Sequence, residues 1–262
     1  MNAGHSSEQQ EIDADERPFV VPCADLTWRS PLHWLRLGWH DFQKAQGLSL
    51  AFGIAILIVS VIVSVMAWQL GSFALLAALL SGFVFFAPLL AVGLYSVARA
   101  HEAGKTPELA DAWRLIKRVV GQAGVLALVL MVILMIWSRA GMVLHALMPI
   151  ETGEVAVLAQ FLFVGSAIGA VFASLTFAIA VFSLPMIADR DVDMITACIS
   201  SINAVLRNKW VTSIWAALIV ALTIVGFATF YLGLIVIMPW LAYSAWHSYR
   251  ETLDASDWPK LP

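Results

Sequence analysis

Long runs of apolar residues dominate the chain and fall into three regions with few charged residues. The first covers residues 48–98, the second residues 119–188 and the third residues 210–249. A helix crosses a bilayer with about 20 residues, so each region is long enough for two crossings. The turns are predicted at polar or small residues inside each region, at 69–72, 149–154 and 226–229.

This pattern predicts an all-α, polytopic transmembrane helix bundle with six spans arranged as three hairpins. The membrane domain is expected over residues 28–252. A polar, acidic segment over residues 1–27 is predicted to be a disordered tail, and residues 253–262 form a C-terminal tail. The predicted spans lie near residues 48–69, 73–97, 122–147, 156–184, 210–227 and 230–248.

A short amphipathic segment precedes each hairpin. The first begins at Ser30-Pro31, the second at Thr106-Pro107 and the third after Asp193. Helices of this kind lie in the plane of the membrane interface. Their apolar stripes are Leu32, Leu35, Trp39 and Phe42, then Leu109, Trp113, Ile116 and Val120, then Ile195, Cys198, Ile199, Ile202, Val205 and Leu206.

Composition agrees with a membrane protein. Of 262 residues, 61% are hydrophobic and 13% are charged, against about 45–50% and 25% in soluble proteins. This balance excludes a soluble enzyme. The net charge of −3 excludes a nucleic-acid-binding module, and the predicted partner is the lipid bilayer.

The positive charges indicate the orientation. All of the 15 Lys and Arg residues except Arg139 fall at the termini or in the loops over residues 98–121 and 185–209. Cytoplasmic loops collect Lys and Arg, so both termini are predicted to be cytoplasmic. Arg139 is expected to extend its side chain to the outer interface, where Glu151 or Glu154 could pair with it.

The sequence contains no catalytic motif of the GxSxG, HExxH or P-loop type. His101 and His247 have similar predicted depths, but no histidine spacing typical of haem or zinc ligands accompanies them. Cys23 and Cys198 lie in different segments. We therefore expect no enzyme activity, no cofactor and no metal, with histidines at the interface.

A proline lies near the cytoplasmic end of the second helix of each hairpin, and each is a predicted helix kink. Two interpretations are open: the kinked helices line a shared cavity, or the prolines serve ordinary packing. The residues are Pro88, Pro185 and Pro239.

A strip of small residues on the fourth span, Gly165, Gly169 and Ala173, allows close helix packing. The partner is either a helix of the same chain or a second copy of the protein.

Tryptophans are predicted to form an aromatic belt at the membrane boundaries. Those at the cytoplasmic boundary are Trp28, Trp34, Trp39, Trp113, Trp210, Trp215, Trp240 and Trp246.

Several ordered motifs over about residues 25–252 resemble a bacterial membrane protein family, the domain-of-unknown-function family 2189 (DUF2189). The family pattern has Gly-His where this chain has Ala242-Tyr243. The resemblance implies an integral protein of the bacterial inner membrane. The motifs are Ser30–Leu35, Gly38–Phe42, Ser49–Gly53, Pro88–Tyr95, Asp189–Asp193, Gly233–Pro239 and Ala245–Arg250.

The expected function is that of a non-enzymatic scaffold, assembly factor or accessory subunit, with other membrane proteins or a second copy as partners. The alternative is a permease or channel for a small neutral or lipidic solute. The residues expected to form an interfacial motif are Trp34, Gly38, Trp39, Asp41, Trp246, His247, Tyr249 and Arg250.

Overall fold

The computed structural model describes residues 18–70, 89–148 and 155–261. Over these residues the chain is helical, with two isolated β-bridges and no strand. The helices are α1 (Ser30–Lys44), α2 (Gln46–Leu70), α3 (described over residues 89–102), α4 (Leu109–Leu147), α5 (Val155–Ala180), α6 (Ser183–Asp189), α7 (Met194–Arg207), α8 (Lys209–Ala228) and α9 (Leu234–Thr252).

Four segments are long and apolar enough to cross a membrane: Gln46–Met66, Leu109–Leu147, Val155–Asp189 and Lys209–Ala228. The chain is therefore an all-helical integral membrane protein. Most of the predicted span 73–97 lies outside the described residues. The predicted span 230–248 corresponds to α9, whose second half carries polar side chains and which is not among the four segments.

The second predicted amphipathic segment is not a separate helix. Leu109 through Val120 form the beginning of α4, which continues without a break to Leu147. Its 39 residues extend about 58 Å, nearly twice the thickness of the hydrocarbon layer. Gly121 and Gly124 lie at the boundary between the amphipathic and the apolar segment, but both are helical, so the helix continues through both.

Helix α7 begins where the sequence predicts an interfacial helix, and the Asp193 carboxylate caps it by accepting from the backbone N–H groups of Ile195 and Thr196, both at 2.9 Å. The face of small residues is buried. Ser201 donates to the carbonyl of Ala178 at 2.7 Å, and Ser200 accepts from the backbone N–H of Val21 at 2.9 Å. Ile195, Ile199 and Leu206 of the predicted stripe are exposed, whereas Cys198, Ile202 and Val205 are half-buried against the core.

Helix α1 differs from that arrangement. Leu35 and Phe42 of its predicted stripe are buried, whereas Leu32 and Trp39 are exposed. The buried face instead includes Gly38 and Asp41. The predicted stripe is thus divided between the protein interior and the surface, because α9 covers one side of the helix.

Ten of the 19 residues of helix α9 are buried, and glycines of two other helices allow its close approach. A Cβ atom at Gly38 of α1 would overlap the hydroxyl of Ser244 and lie 2.7 Å from its backbone nitrogen. A Cβ at Gly53 of α2 would overlap the carbonyl oxygen of Ile235. Any larger side chain at either position would push α9 away.

The prolines have different local roles. Pro239 lies inside α9 and removes the hydrogen bond that the carbonyl of Ile235 would accept. That carbonyl is the one that faces Gly53, so this irregularity is used for packing. Pro185 lies in the short helix α6, after the chain leaves α5 at Ala180. Pro88 lies outside the described residues.

Residues 18–27 pack against the rest of the chain, which corrects the predicted extent of the disordered tail. Val21 is fully buried, and the backbone N–H of Leu26 donates to Asn208 at 2.9 Å. The backbone N–H of Ala24 donates to the carbonyl of Thr252 at 2.9 Å. These specific contacts order residues 18–27, although the composition of this segment predicts disorder.

Candidate functional site

Three segments that are distant in sequence meet at one buried carboxylate. Asp41 of α1 lies 3.0 Å from Nδ1 of His101 in α3 and 2.7 Å from Nε2 of His247 in α9. All three side chains are largely buried, with side-chain exposures of 7%, 9% and 13%. We call these residues the aspartate–histidine cluster. Each imidazole can donate one N–H to a different oxygen of the same carboxylate.

A second group of charged residues lies beside the cluster and is connected through Arg250. The guanidinium of Arg250 lies 3.3 Å from the carboxylate of Glu102 and 3.4 Å from that of Asp189. Asp189 also accepts from the hydroxyl of Tyr249 at 2.9 Å and from Arg190 at 3.1 Å. Burial of Asp189 is therefore compensated by three donors.

The beginning of α1 is fastened to the end of α9 by Glu251. Its carboxylate accepts from the hydroxyl of Ser30 at 2.6 Å and from the indole N–H of Trp34 at 2.7 Å. Trp34 also meets Trp215 of α8 edge to face, with ring centroids 5.6 Å apart. One carboxylate thus joins α1 and α9, while the aromatic pair joins α1 and α8.

The eight residues predicted as an interfacial motif belong to this one region. Trp34, Trp246 and Tyr249 are fully buried, and the indole N–H of Trp246 donates to Glu102 at 2.9 Å. Trp39 is the exposed aromatic of the group and stacks on Phe42. Residues of the motif therefore form an internal polar network, and Trp39 lies at the surface of the protein.

The predicted tryptophan belt needs the same correction. Trp34, Trp215 and Trp246 are in the interior of the protein, because polar partners or other rings cover them. Trp240 is partly buried and donates to the carbonyl of Leu35 at 2.7 Å. The tryptophans that remain exposed at this end are Trp28, Trp39, Trp113 and Trp210.

The small-residue strip of α5 faces α4 for most of its length. The atom nearest to a Cβ at Gly165 would belong to Leu144, at 3.4 Å, and at Gly169 to Trp137, at 3.7 Å. Ala173 is exposed. These are ordinary contact distances, so Gly165 and Gly169 leave room for a methyl group, unlike Gly38 and Gly53. Arg139 is exposed, and its predicted partners Glu151 and Glu154 lie outside the described residues.

The side-chain groups at this end are suited to holding helices together. Among the residues whose placement is described, no set of three or more His, Cys, Asp or Glu side chains has the geometry of a metal site. In the aspartate–histidine cluster, the carboxylate oxygens are hydrogen-bonded to the imidazole nitrogens that face them. Its chemistry is that of an electrostatic link among α1, α3 and α9.

The sequence placed His101 and His247 at similar depth but did not identify the group between them. Asp41 lies three residues after Gly38, on the same face of α1. A carboxylate at the depth of two histidines was a usable signal for the cluster. Glu102 and Glu251 were missed for a different reason, since adjacent charged residues in a loop or at a helix end usually face water.

Residues 75–189 match DUF2189, a family described as predicted integral membrane protein. The resemblance drawn from the sequence motifs is thereby confirmed over these residues. The match includes α3, α4, α5 and α6, and hence His101, Glu102 and Asp189 of the polar network. No curated protein and no solved structure matches the chain.

Proposed function

We propose that the protein is a non-enzymatic scaffold, assembly factor or accessory subunit of the bacterial inner membrane, with six spans and both termini in the cytoplasm. The observation that carries the proposal is the polar network that joins α1, α3 and α9 through one carboxylate. A buried network whose donors and acceptors satisfy one another favours a fixed arrangement of helices. A scaffold that binds other proteins requires such a fixed arrangement of helices.

Contacts among distant segments support six crossings. The pairing of Asp41 with His101 agrees with a chain that leaves one end of the bundle through α2 and returns by residue 101. The hydrogen bond from Tyr249 to Asp189 agrees with the same path for α8 and α9. Helices α4 and α5 supply the remaining pair, between residue 101 and residue 189. An even number of crossings agrees with the pairing of Ala24 and Thr252 near the two termini.

The exposed face of α5 supports a partner in the plane of the membrane. Phe163 and Val171 are 76% and 68% exposed. They share this face with the small residues Ala167, Ala170 and Ser174, which are also exposed. Small residues allow close approach of a second helix in lipid, and larger apolar residues beside them supply contact area.

The test compares two full-length variants purified gently from native membranes after cross-linking. We expect Phe163→Leu/Ala170→Leu to lose a stoichiometric partner that the wild-type protein retains. The control, Val220→Leu/Ile224→Leu, changes exposed residues of α8 and should keep the partner. The mass of the cross-linked product shows whether the partner is a second copy of the protein.

The proposal would be contradicted if the wild-type protein carried no stoichiometric partner, or if both variants retained it equally. A permease would instead release a small neutral solute from liposomes containing the purified protein. The packing of Gly53 against the free carbonyl of Ile235 argues against that alternative, because a neighbouring helix occupies the site that a cavity at Pro239 would need.

A further inference from the structure

A cleft lined by positive charges lies between α3 and the beginning of α4. Its volume is about 800 Å³. Its cationic residues are Arg99, Lys105, Arg114, Lys117 and Arg118, and its one acidic residue is Asp111. We call this cavity the basic cleft. It is separate from the aspartate–histidine cluster, which lies on the other side of α3.

The residues that line the cleft carry more positive than negative charge. The Asp111 carboxylate is paired with Arg114, which leaves an excess of cationic lining residues. Burial lowers the pKa of Arg99 below its ordinary value; the charge of Asp189 opposes this effect, and the charges of Arg118 and Arg190 add to it. An anion in the cleft would relieve the repulsion among these side chains.

The orientation of the protein in the membrane does not explain why these cations lie so close together. The preference of Lys and Arg for the cytoplasmic side depends on their number in a loop and does not require them to line one cavity. Here an arginine of α3, a lysine of the connecting loop and three cations of α4 converge on the same space. Arginine and lysine in such an arrangement are the usual recognition groups for phosphate.

The cleft also opens beside residues that suit the membrane interface. The ammonium group of Lys117 lies 5.2 Å from the centre of the Trp113 ring. Trp113 and Leu109 are exposed on the first turns of α4. A phosphate group in the cleft would therefore lie close to apolar side chains that can contact acyl chains.

We propose that the basic cleft binds a phosphate group. The phosphate belongs either to the headgroup of an anionic phospholipid or to a small soluble phosphate. Lys105 and Lys117 contribute charge to the site from the exposed side, and Arg99 contributes from the inner side. This inference goes beyond the proposed function, since a scaffold without a phosphate site and a phosphate site without a protein partner are both possible results.

The experiment uses the full-length protein in neutral phosphatidylcholine nanodiscs. Phosphatidylglycerol is incorporated in increasing amounts in one series, and inorganic phosphate is added to the buffer in another. Binding is measured by the rise in the thermal unfolding midpoint, which follows the ratio of ligand concentration to Kd. The variant is Lys105→Gln/Lys117→Gln. The control is Arg36→Gln/Lys44→Gln, which removes the same charge from exposed positions of α1 that do not line the cleft.

We expect the lysine variant to bind the phosphate ligand about thirtyfold more weakly, at about fivefold for each basic residue removed. The control should bind like the wild type. An effect of phosphatidylglycerol without one of inorganic phosphate identifies a lipid headgroup, and the reverse identifies a soluble phosphate. Both variants must give the wild-type circular dichroism spectrum without anion.

Two results would overturn the inference. One is the same loss of affinity in the variant and the control, which would mean that the general positive charge of this end attracts anions. The other is no stabilisation of the wild-type protein by either phosphate source.

Discussion

The polar end of the bundle and the apolar helices are built in opposite ways. At the polar end, charged and aromatic side chains turn inward and are joined by hydrogen bonds, as Asp41 and Trp34 illustrate. Along α5, in contrast, one residue is buried and six large apolar side chains are exposed. In lipid an outward apolar face costs nothing, so the helices need specific polar or close-packed contacts to hold their positions.

This difference indicates which residues determine how the helices are arranged. Long apolar segments ensure insertion into the membrane but say little about which helix contacts which. The contacts of α9 determine that it packs on α1, because Ser244 lies against Gly38 and His247 pairs with Asp41. Changes at the polar end should therefore destabilise the fold more than changes of similar size along the exposed helices.

The largest effect is expected from Asp41→Ala, because it leaves two buried imidazoles without their acceptor. Each hydrogen bond to a charged group is worth about 1.5–3 kcal/mol, so the free energy of unfolding should fall by about 3 kcal/mol or more. The matched control is Asp111→Ala, which removes an exposed pair with Arg114 and should cost about 0–1 kcal/mol. Denaturant unfolding in mild detergent measures both. Equal losses would contradict a structural role for the cluster.

A smaller but still clear loss is expected from Gly53→Ala. The new methyl group would meet the backbone of Ile235, with its carbonyl carbon at 2.7 Å, and overpacking of this kind costs about 1–3 kcal/mol. Gly169→Ala places a methyl group at an ordinary distance from Trp137. It should be neutral or stabilising by up to about 1 kcal/mol, because alanine favours helix. Thermal unfolding of the two variants tests the comparison, and a greater loss in Gly169→Ala would reverse it.

The smallest effect is expected at the beginning of α7. Asp193→Ala removes the cap and should cost about 0.5–2 kcal/mol. Burial raises the pKa of Asp193, but hydrogen bonds from Thr196 and Ile195 outweigh it and lower that pKa below its ordinary value. The cap therefore stabilises the fold above about pH 4 and loses its effect as the pH falls through the lowered pKa. Stability of wild type and variant should converge in acid. A difference between them that keeps its neutral-pH size as the pH falls through the lowered pKa would contradict this explanation.

Much of the helical architecture could be predicted from the apolar pattern. The beginning of α7 was predictable because Asp193 is a strong cap before an amphipathic stretch. The continuity of α4 was not, because Gly121 and Gly124 at the boundary between amphipathic and apolar sequence weaken the helical signal, although both are helical in the structure. The change in polarity marks where a helix enters the membrane and not where it begins.

The membrane depth of the candidate site residues could be predicted from the sequence, but not which of them point into the protein. Trp215 and Trp210 lie five residues apart, yet Trp215 is fully buried and Trp210 is 84% exposed. A tryptophan belt assigns both to the boundary, and only tertiary contacts decide which one turns inward. The same limit applies to Asp41, whose partners are 60 and 206 residues away in the chain.

The most direct test of the central claim is a cross-link between the two ends of the chain. Cys23 and Leu253 form an antiparallel bridge, so their backbones are close enough for a disulfide. In a Cys198→Ser background, the variant Leu253→Cys is oxidised in membranes and then cut at a protease site inserted at Gly104. We expect the two fragments to stay together on a denaturing gel until a reductant is added. The control Asp257→Cys changes an exposed residue outside the bridge and should separate. Separation of the Leu253→Cys fragments without reductant would contradict the joining of both ends at the polar network.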